Sequence, residues 1–298
     1  MTGKYDLTWF EEAWDGKWQA GRENSTAVWD REAPIWDERA RKKEGASPRL
    51  ADTVAWLERQ GLLTPEQEVA DIGCGPGRFA AEFARRTRRV LAVDVSARML
   101  EFGRRYAEEE GLDNIEFARA DFSTADVAAL GWEGRFDLVF SSITPAVRGK
   151  KGLDNLLALS RAWCYNSSFV YNVNQLHDRL LDQVFSLPPR RCKTNHSQWF
   201  YELFSLLWLR GYYPRADYYK EHRERSLPLT RGTAEELSRL LLPEEMQTEG
   251  ALNDILRFLR KEAGAEGNVL EISDCWFGIL LWDVRERETA RDRVQELP

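Results

Sequence analysis

Residues 69–79 read V-A-D-I-G-C-G-P-G-R-F, a buried-strand run that breaks into a loop with glycine at alternate positions and then opens a helix. A strand, glycine loop and helix in that order set the chain on an α/β course in which main chain meets a ligand. Gly73, Gly75 and Gly77 tolerate positive φ and remove the Cβ atoms that block close approach, and the helix start offers unpaired N–H groups. The dinucleotide fingerprint G-x-G-x-x-G wants a glycine at position 78, where Arg78 stands. Asp71 would repel a phosphate but can hold an ammonium group, directly or through water. A zwitterionic ligand fits this loop better than a dinucleotide.

Three further segments follow in order. Residues 89–94, R-V-L-A-V-D, read as a strand ending in Asp94; Val95 comes next, and Ser96 is a good N-cap for a helix carrying Met99 and Leu100. Residues 115–122, I-E-F-A-R-A-D-F, alternate like a strand and close on Asp121-Phe122. Residues 135–142, R-F-D-L-V-F-S-S, read as a fourth strand whose carboxyl end faces the ligand crevice of an open parallel sheet.

The run D-I-G-C-G-P-G at 71–77 resembles the first motif of class I S-adenosylmethionine (SAM)-dependent methyltransferases, and the other three segments are similar to their later motifs. The resemblance spans residues 66–172. It implies an α/β fold, a Rossmann-like doubly wound sheet of seven strands in the order 3-2-1-4-5-7-6 with the last strand antiparallel. SAM is the implied cofactor, and S-adenosylhomocysteine (SAH) its product. The implied cofactor-binding residues are Asp71, Gly73, Cys74, Gly75, Gly77, Asp94, Val95, Met99, Asp121, Phe122, Ser141 and Ser142. Among them Asp94 would accept from the ribose hydroxyls, Asp121-Phe122 would meet the adenine amino group and ring face, and Ser141, Ser142 and Ile143 would lie near the methionine part.

The rest of the chain is organised around that sheet. Residues 1–60 lack strand signals but hold Trp9, Trp14, Trp18, Trp29, Trp36 and Trp56 among charges, which predicts three amphipathic helices with breaks near 21–25 and 45–48. In the resembling family such a leader caps the SAM cleft, and residues 27–37 are similar to its W-N-x-R-A-x-x-F-D segment. The tryptophans also read as plain helix-packing residues. Residues 61–284 then form the SAM-binding domain and 285–298 a charged tail. Helical spacing at 152–163 precedes a fifth strand at 165–172. The stretch 175–211 is a helical insertion after it, broken at 188–191, whose second helix at 197–209 either walls an apolar pocket as part of a substrate lid or docks on the sheet as core. Strands are predicted at 212–225 and 269–284, with a capping box at Thr233 and helix at 252–259 between them.

The 298 residues, 43% hydrophobic, can bury one large core, so one α/β domain with appendages is expected. A formal net charge of −7 gives no global attraction to a phosphate backbone or an anionic membrane surface, so no nucleic-acid or membrane partner is expected. The start has no secretion-signal pattern, and the apolar runs at 203–209 and 276–282 are far shorter than the ~20 residues of a spanning helix. A cytoplasmic protein is expected, which leaves the sequons at Asn24, Asn166 and Asn195 unused. Cys74, Cys164, Cys192 and Cys275 are widely spaced and have no close histidine partner, which indicates neither a disulfide framework nor a metal. A homodimer is left open.

Methyl transfer from a sulfonium needs alignment and a dry pocket more than a dedicated base. If a base acts, His196 and His177 are the candidates, with Glu221 and Tyr171 behind them. After the fourth strand stands S-S-I-T-P, not the N/D-P-P-Y of enzymes acting on adenine or amide nitrogens, so base methylation is not expected. The pattern is similar to small-molecule methyltransferases such as those of quinone biosynthesis, which implies a small-molecule acceptor. Two other readings stay open: a SAM-binding module without turnover, and a nicotinamide-dependent oxidoreductase, which Arg78 and Asp71 oppose.

Overall fold

The computed structural model describes residues 6–20, 26–41, 48–189, 195–264 and 267–287. Three helices, α1 (Leu7–Ala20), α2 (Thr26–Arg41) and α3 (Arg49–Arg59), precede the first strand. An alternation follows: β1 (Glu68–Ile72), α4 (Arg78–Ala84), β2 (Arg89–Asp94), α5 (Ala97–Glu109), β3 (Ile115–Arg119), β4 (Phe136–Ser142), α6 (Gly149–Leu159) and β5 (Ser160–Asn174). The remainder comprises α7 (Gln175–Phe185), α8 (Asn195–Leu209), β6 (Arg215–Pro228), α9 (Arg231–Leu241), a 3-10 turn (Glu244–Met246), α10 (Glu249–Glu262) and β7 (Asn268–Asp283). The strands make one seven-stranded mixed sheet in the order β3-β2-β1-β4-β5-β7-β6, as the resemblance implies.

The central strands are apolar without alternation because both their faces are covered, as parallel strands require. Val69, Ala70, Ile72, Val90, Leu91, Val93, Leu138, Val139 and Phe140 are all sealed from solvent. Parallel register sets Ile72 beside Val93 and Ser141, and Ser141 beside Asn166. One residue further along each chain, Gly73, Asp94, Ser142 and Ser167 therefore form a row at the carboxyl edge, where open α/β sheets bind ligands.

The described residues divide into two compact units, one drawn from Met1–Ser168, Trp199–Asp217 and Gly278–Pro298, the other from Phe169–Gln198 and Tyr218–Phe277. In the first, Phe10 and Trp14 of α1 and Leu203, Leu206 and Leu207 of α8 join the cluster built on Ile72, Leu91 and Val139. In the second, Leu176 and Leu180 of α7 pack with Leu237 of α9 and Ile255 and Leu259 of α10. No helix among the described residues is long and apolar enough to cross a membrane.

Several boundaries differ from the sequence reading for local reasons. Helix α6 stops at Leu159, not 163, because Ser160 Oγ accepts from Ala162 N and donates to Trp163 O, an arrangement that competes with helix. Strand β3 ends at Arg119, and the Asp121 carbonyl starts a turn by accepting from Thr124 N and Ala125 N. The predicted cap at Thr233 is shifted by one turn: Thr230 caps α9, its Oγ1 accepting from Thr233 N at 3.2 Å, while Thr233 Oγ1 donates to Pro228 O. Ser96 caps α5 as expected, accepting from Met99 N at 3.1 Å. The breaks expected in the leader fall, apart from Pro48, outside the described residues, as does the tail beyond Arg287.

Candidate functional site

The glycine loop leaves β1 at the sheet's carboxyl edge. Gly73 N and Cys74 N both donate to Val93 O, at 2.8 and 3.0 Å, so the loop starts pinned to β2. Gly73, Gly75 and Gly77 have φ of +72°, +53° and +74°, a region closed to most side chains. A Cβ on Gly73 would overlap Thr144, and one on Gly77 would lie 3.3 Å from Gly103 Cα. At Gly75 it would meet nothing within 4 Å, so there the bare main chain faces open space. Cys74 is buried, and burial pushes its thiol well above the usual range, which makes it inert.

Two carboxyls stand behind this loop. Asp71 is 3% exposed, and its Oδ2 has no hydrogen-bond partner among the described residues. Burial, then the neighbouring Asp94 charge, push it up to about 8, against the pull of the Ala80 amide in the first turn of α4. Burial favours its neutral form, and a cation beside it would favour ionisation. Asp94 Oδ2 accepts from Gly75 N and its Oδ1 from Ser96 N, each at 2.9 Å. Burial raises its pKa while the Ser96, Gly75 and Val95 amides hold it back. The two oxygens together keep acceptor capacity beyond these amides.

The other predicted residues are placed variously. Met99 is buried on α5, and Val95 O accepts from Arg119 Nε at 3.2 Å. Asp121 is exposed just beyond β3, its Oδ1 accepting from Ser123 N and Oγ. Phe122 is 2% exposed within the core of the first unit. Ser141 is sealed, its Oγ donating to Tyr165 O and accepting from Asn166 Nδ2. Ser142 Oγ bonds Ser167 Oγ at 2.8 Å and accepts from Arg49 Nη1 at 2.7 Å.

The stretch S-S-I-T-P-A-V at 141–147 has a physical basis at this end of β4. Ile143 takes φ +51°, a genuine outlier for a β-branched residue, and donates its N–H to Ser167 O at 2.8 Å. That bend throws Thr144 against Gly73, and Thr144 Oγ1 accepts from Ala146 N. Backbone strain of this kind concentrates at functional sites.

Sequence reasoning passed over the residues that reach this edge from elsewhere. Arg49 comes from α3 and also lies over the Phe79 ring, 5.3 Å from its centroid. Asp30 of α2 accepts from the capping Ser96 Oγ at 2.5 Å and from Arg98 N. Away from these contacts, Arg148 at the start of α6 is half-buried, and burial pulls its guanidinium down to about 9. Position 30 alone carried a signal, inside the leader segment similar to the family's; Arg49 and Arg148 carried none.

Of the proposed bases, His177 has Nε2 2.8 Å from Glu271 Oε1 in the second unit, and Glu271 is held low despite its burial by that contact and by Asn174. Glu221 likewise pairs with Arg223 Nε, at 2.5 Å, and Tyr171 is exposed. The His196 side chain and Cys192 lie outside the described residues. Among the described residues no group of three His, Cys, Asp or Glu could hold a metal ion.

Residues 69–162 match the model of a methyltransferase domain. A ubiquinone biosynthesis O-methyltransferase of Acinetobacter baumannii is 31% identical over 84 residues, 28% of this chain and 34% of that protein. A 23S rRNA (uracil(1939)-C(5))-methyltransferase of Aeromonas salmonicida is 35% identical over 92 residues, 30% of this chain and 20% of that protein. The chain thus spans well under two thirds of the length of either relative. The solved structure of a Bacillus halodurans protein described as a candidate methyltransferase superimposes with a TM-score of 0.50 at 15% identity, over 78% of this chain and 99% of that one. At that identity the likeness is one of fold. The strand order is that of the Rossmann-like methyltransferase fold, and residues 69–162 within it match a methyltransferase domain.

Proposed function

We propose that the protein is a SAM-dependent methyltransferase acting on a small-molecule acceptor. The observation that carries this reading is Asp71, a sealed carboxyl with an orphaned oxygen behind a loop of positive-φ glycines. An α-ammonium group suits that oxygen, and ionisation of Asp71 against it would remove the misfit of a neutral acid. The lone pairs left on Asp94 suit a ribose diol, Asp121 an exocyclic amine, and Arg49 brings a cation to the methionine end. SAM, when bound, supplies a methyl group on a sulfonium. The chain's own residues then have to position and dry the acceptor. The contacts of Asp30 with Ser96 and Arg49 with Ser142 support a cap formed by residues 1–60.

The net charge of −7 supports a small acceptor over a polyanion. Scanning calorimetry with SAM, SAH and NADH tests the cofactor: stabilisation by the first two alone is expected. Methyl-labelled SAM incubated with cell extract then tests turnover. Label in the small-molecule fraction supports the proposal, label that RNase releases from the macromolecular fraction transfers the activity to RNA, and SAH binding without any labelled product makes the protein a sensor or partner subunit.

A further inference from the structure

Where α1 and α6 lie together in the first unit, several charges are paired. Lys150 Nζ lies 3.6 Å from Glu11 Oε2, Arg210 bridges Glu11 and Asp154 at 2.7 and 2.6 Å, and Asp15 Oδ1 accepts from Lys150 N at 3.2 Å. Arg148 has no acidic partner among the described residues. Its Cζ sits over the Trp199 ring of α8, 2.9 Å from the centroid. Stacking occupies the face of a guanidinium and leaves the N–H groups on its edge available. A half-buried cation without an anion is costly, and an arriving anion would relieve that cost.

The backbone limits how far this residue can stand from the glycine loop. Thr144 lies against Gly73, and Arg148 follows four residues later, a reach of at most about 14 Å. Arg148 N donates to Pro145 O at 3.1 Å, and a Cβ on Gly152 would lie 2.9 Å from the Val147 carbonyl carbon. Helix α6 therefore closes directly on the 146–147 backbone and fixes where Arg148 begins.

We propose that Arg148, backed by Trp199, is the acceptor subsite of this enzyme and takes a small molecule bearing a carboxylate. The role of an acceptor site rests on the methyltransferase reading; the anion site itself does not. A planar donor fork pairs bidentately with one carboxylate.

The test follows the arginine Nε–Hε signals of the full chain by ¹⁵N NMR, with and without SAH, during titration with benzoate, benzamide or inorganic phosphate. The Arg148 signal is assigned by its absence from Arg148→Gln, or from Arg148→Lys should the glutamine variant not fold. Benzoate is expected to move that signal saturably and benzamide not to, and Arg148→Gln should weaken benzoate about tenfold or more while leaving SAH binding unchanged. Equal benzoate affinity in the variant, or a wild-type Arg148 signal unmoved up to about 50 mM, overturns the site. Tighter binding of phosphate overturns the carboxylate assignment. Loss of SAH binding in the wild type, with benzoate still shifting Arg148, would instead remove the cofactor reading and leave the anion site in place.

Discussion

Thr144 occupies the space that a side chain on Gly73 would need: Oγ1 would overlap a Cβ there, and Thr144 Cβ would lie 2.6 Å away. Position 73 is thus closed twice, by that neighbour and by its φ of +72°. Gly73→Ala should lower Tm by about 4 °C or more and abolish the SAH-induced shift. Adding Thr144→Ala should recover part of the stability and no more, because the backbone conformation stays unfavourable. Full recovery in the double variant would show that only the steric overlap mattered.

Asp94 holds two main-chain amides, those of Gly75 and Ser96, each at 2.9 Å. Asp94→Ala leaves both without their acceptor and should cost about 1–3 kcal/mol in urea unfolding, with loss of SAH affinity on top. A variant as stable as the native chain that binds SAH normally would exclude Asp94 from both roles.

The acid Asp71 makes stability depend on pH in a stated direction. Its folded value of about 8 lies above the 3.8 of an ordinary carboxyl, so between these limits the folded chain keeps a proton that the unfolded chain has released. Its contribution therefore becomes less favourable as pH rises from about 4 to 8. Asp71→Asn copies the neutral acid and lacks this slope. The Tm of the variant minus that of the native chain should increase between pH 5 and pH 8 by about 2 °C or more, and a constant difference would contradict the assignment. On the proposed function, SAM binding at pH 7 should also release a proton, measurable by calorimetry in buffers of different ionisation enthalpy.

For α9, Thr230→Ala should destabilise by about 1 kcal/mol in a denaturant titration. No loss there would return the cap to Thr233.

The sheet was legible because its signals are local: uninterrupted apolar runs such as V-L-A-V at 90–93 admit few alternatives, and the carboxyl-edge acids follow them directly. Boundaries were less so. Thr230 and Thr233 stand one turn apart, and either satisfies the preference for a hydroxyl at a helix start, so the choice depended on the Pro228 carbonyl that takes up the Thr233 hydroxyl. Arg49 and Arg148 were illegible for another reason. An arginine in an amphipathic leader or just before a helix reads as solvated surface, and only tertiary placement against Ser142 or Trp199 gives it a role. The meaning of Ile143 likewise depended on a bend that no propensity announces.

The amide grip on Asp94 bears on how quickly and how tightly a partner can be captured. A carboxylate clamped from two sides has surrendered its rotamers during folding, so on the proposed function an incoming diol would meet an acceptor already aimed and forfeit little side-chain freedom on docking. On that reading, recognition at this corner would be completed before the visitor arrives.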